Sequence, residues 1–213
     1  MNFTPPPTNC ALCERLCAFR KENQQKFPSY HNGPVPAFGS LDAQILVVGL
    51  APGLHGANQT GRPFTNDYAG DILYPILKEN NLAAGTYKKI KNDDFTLKNV
   101  RITNAVRCVP PENKPTTAEE KNCRRFLKDE IAAMPNLKVI LSLGTVSHKN
   151  VLQALGLKQS YAKFKHGTVY DIPGTNIKLL DSYHTSRYNI NTGVLTYEMF
   201  DKIIKDVKEL IKK

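Results

Sequence analysis

QILVVGL, residues 44–50, is the stretch that decides the fold. It is short, continuously apolar and rich in β-branched side chains, and Ala-Pro-Gly follows it directly, which is typical of a strand buried on both faces of a sheet. The next stretch, APGLHGANQTGRPFTND at 51–67, contains few apolar side chains and is longer than a simple connection. Long polar loops that follow buried strands often carry function, so we expect a binding loop here.

Three further stretches are predicted as strands: VRITNAV (100–106), KVILSLG (138–144) and NIKLLDS (176–182). FKHGTVYDI (164–172) is joined to the last of them through Pro-Gly, which predicts a hairpin or two short strands. Because helical segments lie between the strands, the order favours a layered α/β structure with a largely parallel sheet. Ligands of such sheets bind at the carboxyl ends of the strands, so the loops after 44–50, 100–106 and 176–182 are expected to meet at one edge.

Helical periodicity fills the intervals between these strands. Residues 12–19 have helical apolar spacing, which predicts an N-terminal helix carrying the first cysteines. Thr117 and Glu120 form the S/T-x-x-E pattern of a capping box, and this predicts a helix that runs to about Met134. Three more helices are predicted by the spacing of apolar residues, at 72–77, 145–155 and 200–211.

The composition is that of a globular protein with a basic surface. The chain has 213 residues, 41% hydrophobic and 23% charged, which suits one domain over residues 1–213. Lys and Arg number 29 against 19 Asp and Glu, and the net charge of +10 favours a polyanionic partner such as nucleic acid. No apolar run approaches the ~20 residues of a membrane span. Since the N-terminus also lacks the pattern of a secretion signal, we expect a cytoplasmic protein.

Five cysteines in a reducing compartment are more often metal ligands or redox groups than disulfide partners. Cys10 and Cys13 form a CxxC pair, while Cys108 is expected at the end of a strand and Cys123 inside a helix. Four thiolates suit a zinc ion or an iron–sulfur cluster, and the spacing does not separate the two. Cys17 lies on the helix face of Cys13 and is a possible substitute ligand. We interpret it as a packing residue because Cys10 and Cys13 already provide the tighter pair. The alternative is that Cys17, Cys108 and Cys123 are simply buried small side chains.

Several separated segments together resemble the uracil-DNA glycosylase superfamily, and within it the iron–sulfur-containing type 5 branch. The chain has no P-loop and no GxGxxG after a strand, which disfavours a nucleotide-cofactor enzyme. The resemblance extends from about Cys10 to Phe200 in the order of the family. It rests on GLAPGLHGANQTGRPFTND (49–67), TNAVRCVPPENKPT (103–116) with Cys123, HTSRYNINTG (184–193), CALC (10–13), RLCAFR (15–20) and GPVPAFG (33–39).

This resemblance implies a three-layer α/β/α fold with a central four-stranded parallel sheet and an N-terminal cluster-binding segment at about residues 8–40. It also implies a [4Fe-4S] cluster on Cys10, Cys13, Cys108 and Cys123, with zinc as the alternative. The implied activity is that of a monofunctional glycosylase. Such an enzyme flips uracil, or another deaminated or modified base, out of DNA and hydrolyses its N-glycosidic bond. The expected partner is uracil-containing DNA, double- or single-stranded, and the expected state is a monomer.

The resemblance further implies how the base is held. Phe64 offers an apolar face for stacking, and Asn104 can donate to and accept from the edge of the base. His184 follows a strand and would donate to a base oxygen as negative charge develops on the leaving group. Four residues of the first motif complete the expected base site: Gly49, Ala51, Pro52 and Gly53.

Hydrolysis needs a group that activates the attacking water and offsets the positive charge that grows on the sugar. We assign this role to Asp67. Other branches of the family place a polar residue near the start of the first motif, where this chain has Leu50 and Ala51. The type 5 branch lacks that residue as well, and Asp67 aligns with its proposed replacement, with Asn104 as a second catalytic group. Asp71 is a nearby rival. The structural alternative for Asp67 is a helix cap.

The residues expected to touch DNA outside the base site are His55, Arg187 and Tyr188. Arg187 and Tyr188 lie in the segment that, in the family, fills the space left by the flipped base, although an arginine there could simply contact phosphate. Two other functions remain open at this stage. One is a cluster-stapled nucleic-acid-binding protein of the same fold without activity, and the other is a hydrolase of free nucleosides or nucleotides.

Overall fold

Seven strands are present in the computed structural model, which describes residues 3–212. Five of them form the central sheet, and the other two form a small antiparallel pair beside it. The strands are β1 (Ile45–Gly49), β2 (Ala83–Ala84), β3 (Thr96–Leu97), β4 (Val100–Asn104), β5 (Val139–Leu143), β6 (Val169–Asp171) and β7 (Lys178–Ser182).

The central sheet has the order β4-β1-β5-β7-β6. Its first four strands are parallel, which confirms the four-stranded parallel sheet, and β6 adds a fifth, antiparallel strand at one edge. The predicted hairpin is this β6–β7 pair. After β1 the chain forms β4 on one side of β1 and then β5 on its other side. The strand order therefore changes direction at β1. The crevice outside the carboxyl end of such a strand is where α/β proteins bind ligands.

Helices cover both faces of the sheet. Apolar side chains alternate along β1: Ile45 and Val47 join one buried cluster with α3 and α7, while Leu46 and Val48 join the other with α4 and α5. This alternation produces three layers with a core on each side of the sheet. No helix within residues 3–212 is long and apolar enough to cross a membrane. The helices are α1 (Glu14–Lys26), α2 (Ala57–Thr60), α3 (Tyr68–Glu79), α4 (Thr117–Ala132), α5 (Thr145–Ala154), α6 (Arg187–Asn191) and α7 (Tyr197–Lys212).

The capping box of α4 lies one residue earlier than predicted. The Thr116 hydroxyl accepts the N–H of Glu119 at 3.3 Å, and the Glu119 carboxylate accepts the N–H of Thr116 at 2.7 Å. The stretch TTAEE contains two overlapping S/T-x-x-E frames, so the assignment to Thr117 and Glu120 is wrong. Thr116 has the extended backbone that an N-cap requires. Glu119 is also bound by Arg15 of α1, which ties the N-terminal segment to α4.

Two predictions about the cysteines also need correction. Helix α1 begins at Glu14, so Cys10 and Cys13 precede it and only Cys17 lies within it. The N–H of Cys10 donates to the carbonyl of Pro7, so a turn occupies the place of the predicted first helical residues. Strand β4 ends at Asn104, and Cys108 therefore lies in the following loop rather than at the strand end. Cys10, Cys13 and Cys108 therefore lie on irregular backbone, whereas Cys123 lies in α4.

Candidate active site

A cleft of about 450 Å³ opens at the carboxyl ends of β1, β4 and β7. Seven of the residues assigned from the sequence line it, and five other residues complete its wall. The assigned residues are Ala51, Gly53, Phe64, Asp67, Asn104, His184 and Arg187. The others are Leu50, Tyr68, Ala69, Asn113 and Ser186.

Gly49 allows Asn104 and Phe64 to approach each other at the bottom of this cleft. Gly49 pairs in register with Asn104 at the ends of β1 and β4. A Cβ on Gly49 would lie 2.4 Å from Oδ1 of Asn104 and 2.6 Å from Cζ of Phe64, so any larger residue would displace one of them. Within residues 3–212 the Asn104 amide has no hydrogen-bond partner, although the residue is only 3% exposed. A buried amide without partners that faces a cleft is available to a ligand.

The carboxylate of Asp67 is held by the loop after β1. Its Oδ2 accepts the N–H of Ala57 at 3.0 Å. Asp67 occupies the N-cap position of α3, but its side chain accepts no N–H of that helix. Burial raises the pKa of Asp67, the hydrogen bond from Ala57 lowers it, and the nearby charge of Asp71 raises it further. A carboxylate with a raised pKa in a cleft is suited to accept a proton.

Asp71, the rival carboxylate, lies one turn into α3 and does not line the cleft. Its Oδ2 forms an ion pair with Nζ of Lys89 at 2.8 Å. The geometry therefore places Asp67, and not Asp71, next to the other assigned residues.

His184 stands beside Phe64 just after β7. The two rings are nearly parallel, with centroids 6.0 Å apart and an interplanar angle of 23°. The carbonyl of His184 accepts the side-chain N–H of Asn189, which fixes the backbone here. Burial lowers the pKa of His184 to about 4, so the imidazole is neutral at pH 7. A neutral imidazole still donates one hydrogen bond, which is what the assigned role requires.

The segment between β1 and α3 contains two residues other than glycine with left-handed backbone. Phe64 has φ +58° and Asn66 has φ +61°. Asparagine tolerates this conformation better than most residues. For a bulky residue such as Phe64 the conformation is strained, and strain of this kind concentrates at functional sites.

The residues assigned to DNA contacts lie at or near the mouth of the cleft. Tyr188 is 73% exposed, and the Arg187 guanidinium lies over the ring of Tyr68 at 5.2 Å. Arg187 and Tyr188 begin the short helix α6, so this segment is a helical turn instead of an open loop. His55 is exposed and pairs through Nδ1 with the hydroxyl of Tyr30 at 3.1 Å. His55 and the buried Pro52 do not line the cleft.

All five cysteines line a second cavity, between α1, α4 and the loop after β4. Leu16, Val106 and Phe126 form its apolar wall. Burial raises the pKa of Cys108 to about 12 and also raises the pKa of Cys123. No three Cys, His, Asp or Glu side chains in the described part of the chain converge tightly enough to hold a single metal ion. The thiols therefore surround a space instead of meeting at one point.

Two arginines border the same cavity with unused donors. Nη1 of Arg20, and Nε and Nη1 of Arg107, are buried and have no partner among residues 3–212. The other guanidinium nitrogen of Arg107 binds Glu130, and Nη2 of Arg20 donates to the carbonyl of Cys10 at 2.9 Å. Buried N–H groups without acceptors are costly, so the cavity suits an anionic group that brings acceptors.

The cleft residues that the sequence assignments missed stand inside or next to the motifs already quoted. Tyr68 directly follows residues 49–67, Asn113 lies within 103–116 and Ser186 lies within 184–193. A reading of every polar residue in those motifs would have included Asn113 and Ser186. Asn113 lines the cleft from a turn in which Glu112 and Asn113 both adopt left-handed backbone. No sequence pattern predicts this conformation.

Comparison with known proteins points to one family. The Uracil DNA glycosylase superfamily matches residues 36–208. The chain is 43% identical to the Type-5 uracil-DNA glycosylase of Thermus thermophilus, over 98% of this chain and 96% of that protein. It is 38% identical to the Type-5 uracil-DNA glycosylase of Pyrobaculum aerophilum, over 96% and 90%. Similarity to the Type-4 uracil-DNA glycosylase of Thermotoga maritima is lower, at 31% over 82% and 81%.

Proposed function

The chain belongs to the uracil-DNA glycosylase superfamily and is a hydrolytic DNA-repair glycosylase, and we propose that its cleft binds a uracil flipped out of DNA. One observation carries this assignment to the cleft: Phe64 and Asp67 from the loop after β1, Asn104 from the end of β4 and His184 from the segment after β7 line one space. Flipping a base costs a few kcal/mol, which is least at a mismatched or damaged base. A pocket that accepts only the extruded base adds selectivity to that difference.

In this proposal the base lies against Phe64, and the Asn104 amide donates to and accepts from its edge. The Asn104 amide has no protein partner to lose, so binding the base satisfies a group that is otherwise unpaired. As the N-glycosidic bond lengthens, negative charge grows on the base, and neutral His184 donates a hydrogen bond to a base oxygen. Because His184 is neutral, it stabilises the leaving base as an anion instead of protonating it.

Asp67 acts on the sugar side of the bond. Its carboxylate takes a proton from the attacking water and lowers the energy of the positive charge that develops on the sugar. Asn104 is the second polar group at the same end of the cleft. Water adds to the sugar carbon and the base leaves with the bonding electrons, so the products are free uracil and an abasic site. No lysine among residues 3–212 lines the cleft, which supports a monofunctional enzyme that leaves the DNA strand intact.

The net charge of +10 supports DNA as the partner. Arg187, His55 and Tyr188 supply the contacts around the flipped nucleotide. The five cysteines are free thiols, which supports an enzyme that works in the reducing cytoplasm, and we propose that it acts as a monomer.

Release of uracil from a labelled duplex with one uracil, with alkali cleavage of abasic sites, tests the reaction. Wild type should give strand breaks after alkali, and Asp67→Ala should be slower by at least about 100-fold, as expected when a general base is lost. Asp206→Ala removes a carboxylate that pairs with Lys202 on α7 and should leave the rate unchanged. Tight DNA binding without release of uracil or of hypoxanthine would indicate an inactive binding protein instead.

We also propose that Cys10, Cys13, Cys108 and Cys123 hold a [4Fe-4S] cluster. The five thiols around one cavity and the unused donors of Arg20 and Arg107 support a negatively charged group held by cysteines. When bound, the cluster supplies covalent cross-links between the N-terminal segment and the loop that carries Asn113. Cys17 is not assigned as a ligand, because its thiol donates to the carbonyl of Cys10 at 3.3 Å.

Protein purified without oxygen tests the cluster. We expect a brown protein with about four irons per chain, because thiolate-to-iron charge transfer absorbs visible light. Cys13→Ser should lose the iron and the colour, whereas the matched variant Cys17→Ser should keep both. Colourless protein that contains zinc and no iron would overturn the assignment.

A further inference from the structure

The segment of residues 85–95, called the arm below, lies between β2 and β3, outside the central sheet. It contains none of the motifs of the family resemblance and does not line the cleft. It nevertheless reaches the strained part of the loop between β1 and α3. The residue that makes this contact is Tyr87.

The Tyr87 hydroxyl bridges two backbone groups of that loop. It accepts the N–H of Asn66 at 3.0 Å and donates to the carbonyl of Phe64 at 3.4 Å. Phe64 and Asn66 are the two left-handed residues other than glycine, so one hydroxyl holds the backbone on both sides of Thr65. A Cβ on Gly70 would lie 1.8 Å from the Phe64 carbonyl oxygen and 3.2 Å from the Tyr87 hydroxyl, so glycine there makes room for both.

The arm is itself anchored by a buried ion pair. Both oxygens of Asp93 bind the Arg62 guanidinium, at 2.7 and 2.9 Å, and they also accept the N–H groups of Lys88 and Phe95. Arg62 is only 4% exposed, and its Nε donates to the Thr65 hydroxyl at 2.7 Å. A paired, buried guanidinium of this kind has a fixed geometry, so the arm and the loop are held as one unit.

We propose that Tyr87 is a positioning residue for base excision, holding the backbone of Phe64 and Asn66 so that the Phe64 ring and the Asp67 carboxylate face the base. This inference rests on the function proposed above. Burial raises the pKa of Tyr87 to about 12, so the hydroxyl keeps the proton it donates to Phe64. Tyr87 does not touch the substrate. It acts through the residues that do, because small displacements of reacting groups slow a reaction strongly.

Tyr87→Phe tests this role. The variant keeps the ring, which packs on Tyr74 with centroids 4.6 Å apart, and removes only the bridging oxygen. We expect kcat for uracil release to fall roughly tenfold, with KM for the duplex and the melting temperature nearly unchanged. Asp93→Asn, which loosens the arm from Arg62, should lower kcat in the same direction.

Tyr161→Phe is the matched control, because it also loses one hydroxyl hydrogen bond, to the carbonyl of Asp171 at 2.6 Å, but outside the cleft lining. It should keep the wild-type kcat. The inference is overturned if Tyr87→Phe has wild-type kcat, or if its kcat falls only together with a large loss of DNA affinity and of melting temperature. A wild-type protein without uracil release would instead refute the proposed function, so the two failures are distinguishable.

Discussion

The Asp67 carboxylate occupies the space that a side chain on Gly53 would need: a Cβ at Gly53 would lie 2.4 Å from Oδ1 of Asp67. The two residues are far apart in the loop, yet each fixes the other. Gly56 has the same relationship to Asp67, at 1.9 Å. The absence of side chains at Gly53 and Gly56 therefore leaves the space that the Asp67 carboxylate fills.

We expect Gly53→Ala to reduce uracil release nearly as much as Asp67→Ala does, by at least about 30-fold, because the new methyl group displaces the carboxylate. Single-turnover rates on a uracil duplex measure this. Gly174→Ala is the control: Gly174 has φ +72° with no atom within 4 Å of its added Cβ, so only backbone strain is introduced. It should lose stability and keep its rate. Full activity in Gly53→Ala would show that the carboxylate position is not critical.

The rate of uracil release should fall at low pH as Asp67 becomes protonated. Burial and the charge of Asp71 raise the pKa of Asp67, so the fall should begin above the ordinary aspartate value of about 4. Asp71→Asn removes a repulsive charge and lowers the pKa of Asp67, so the acidic limb should move to lower pH. His184, with a pKa of about 4, is neutral at pH values well above 4. A limb that does not move in Asp71→Asn would contradict the coupling.

Glu130→Gln should strongly destabilise the protein. The Glu130 carboxylate is completely buried between Arg101, whose Nε lies 2.7 Å away, and Arg107. Glutamine keeps the shape but leaves two guanidinium groups without a counter-charge, which typically costs about 3–5 kcal/mol of unfolding free energy. Urea unfolding at equal iron content measures the change, with exposed Glu22→Gln as the control. A loss below about 1 kcal/mol would mean that the two charges are compensated elsewhere.

His148 should make the stability depend on pH. Its Nδ1 lies 2.8 Å from Asp181 and its Nε2 lies 3.0 Å from the carbonyl of Ala162, so the ring satisfies both acceptors only when protonated. Burial lowers the pKa of His148, but the hydrogen bonds to Asp181 and Ala162 outweigh burial and raise it above 6.5. The added stability is therefore complete below the unfolded pKa and is lost as pH rises through the folded pKa.

Denaturant unfolding of wild type and His148→Gln at about pH 6 and pH 9 checks this linkage. The difference in unfolding free energy between the two proteins should be larger at pH 6. Tyr170 packs beside the same ring, but its hydroxyl donates to the carbonyl of Lys163 and stays neutral in this range. An equal difference at both pH values would mean that His148 is not protonated in the folded state.

The layers of the fold could be predicted because an apolar run such as residues 45–50 indicates a strand that is buried on both faces of a sheet. The ends of these strands also located the cleft, since Asn104 is the last residue of β4 and His184 lies two residues after β7. Local boundaries were less predictable. TTAEE offers two capping frames, and the choice depends on Arg15 from a distant helix. The turn at Cys10 likewise depends on contacts outside its own sequence.

The support behind the site could not be predicted at all. Tyr87 lies in a polar segment without periodicity, and its function depends on a hydrogen bond to Asn66, 21 residues away in the chain. The left-handed backbone of Phe64 could not be predicted either, because bulky residues such as phenylalanine rarely adopt it. Contacts of this kind arise from tertiary packing, whereas the motifs report only which side chains are present.

Ala51 lines the base cleft and also packs against the apolar wall of the cysteine cavity. On that side the Ala51 methyl group and the wall of Leu16, Val106 and Phe126 lie between the two spaces, so a larger side chain at position 51 would press on that wall. To admit a bulkier base, the cleft would therefore have to be enlarged at other lining residues, such as Tyr68 and Ser186. The cysteine cavity therefore restricts how far the cleft can be widened at Ala51, and with it the size of the base that the cleft could be made to accept.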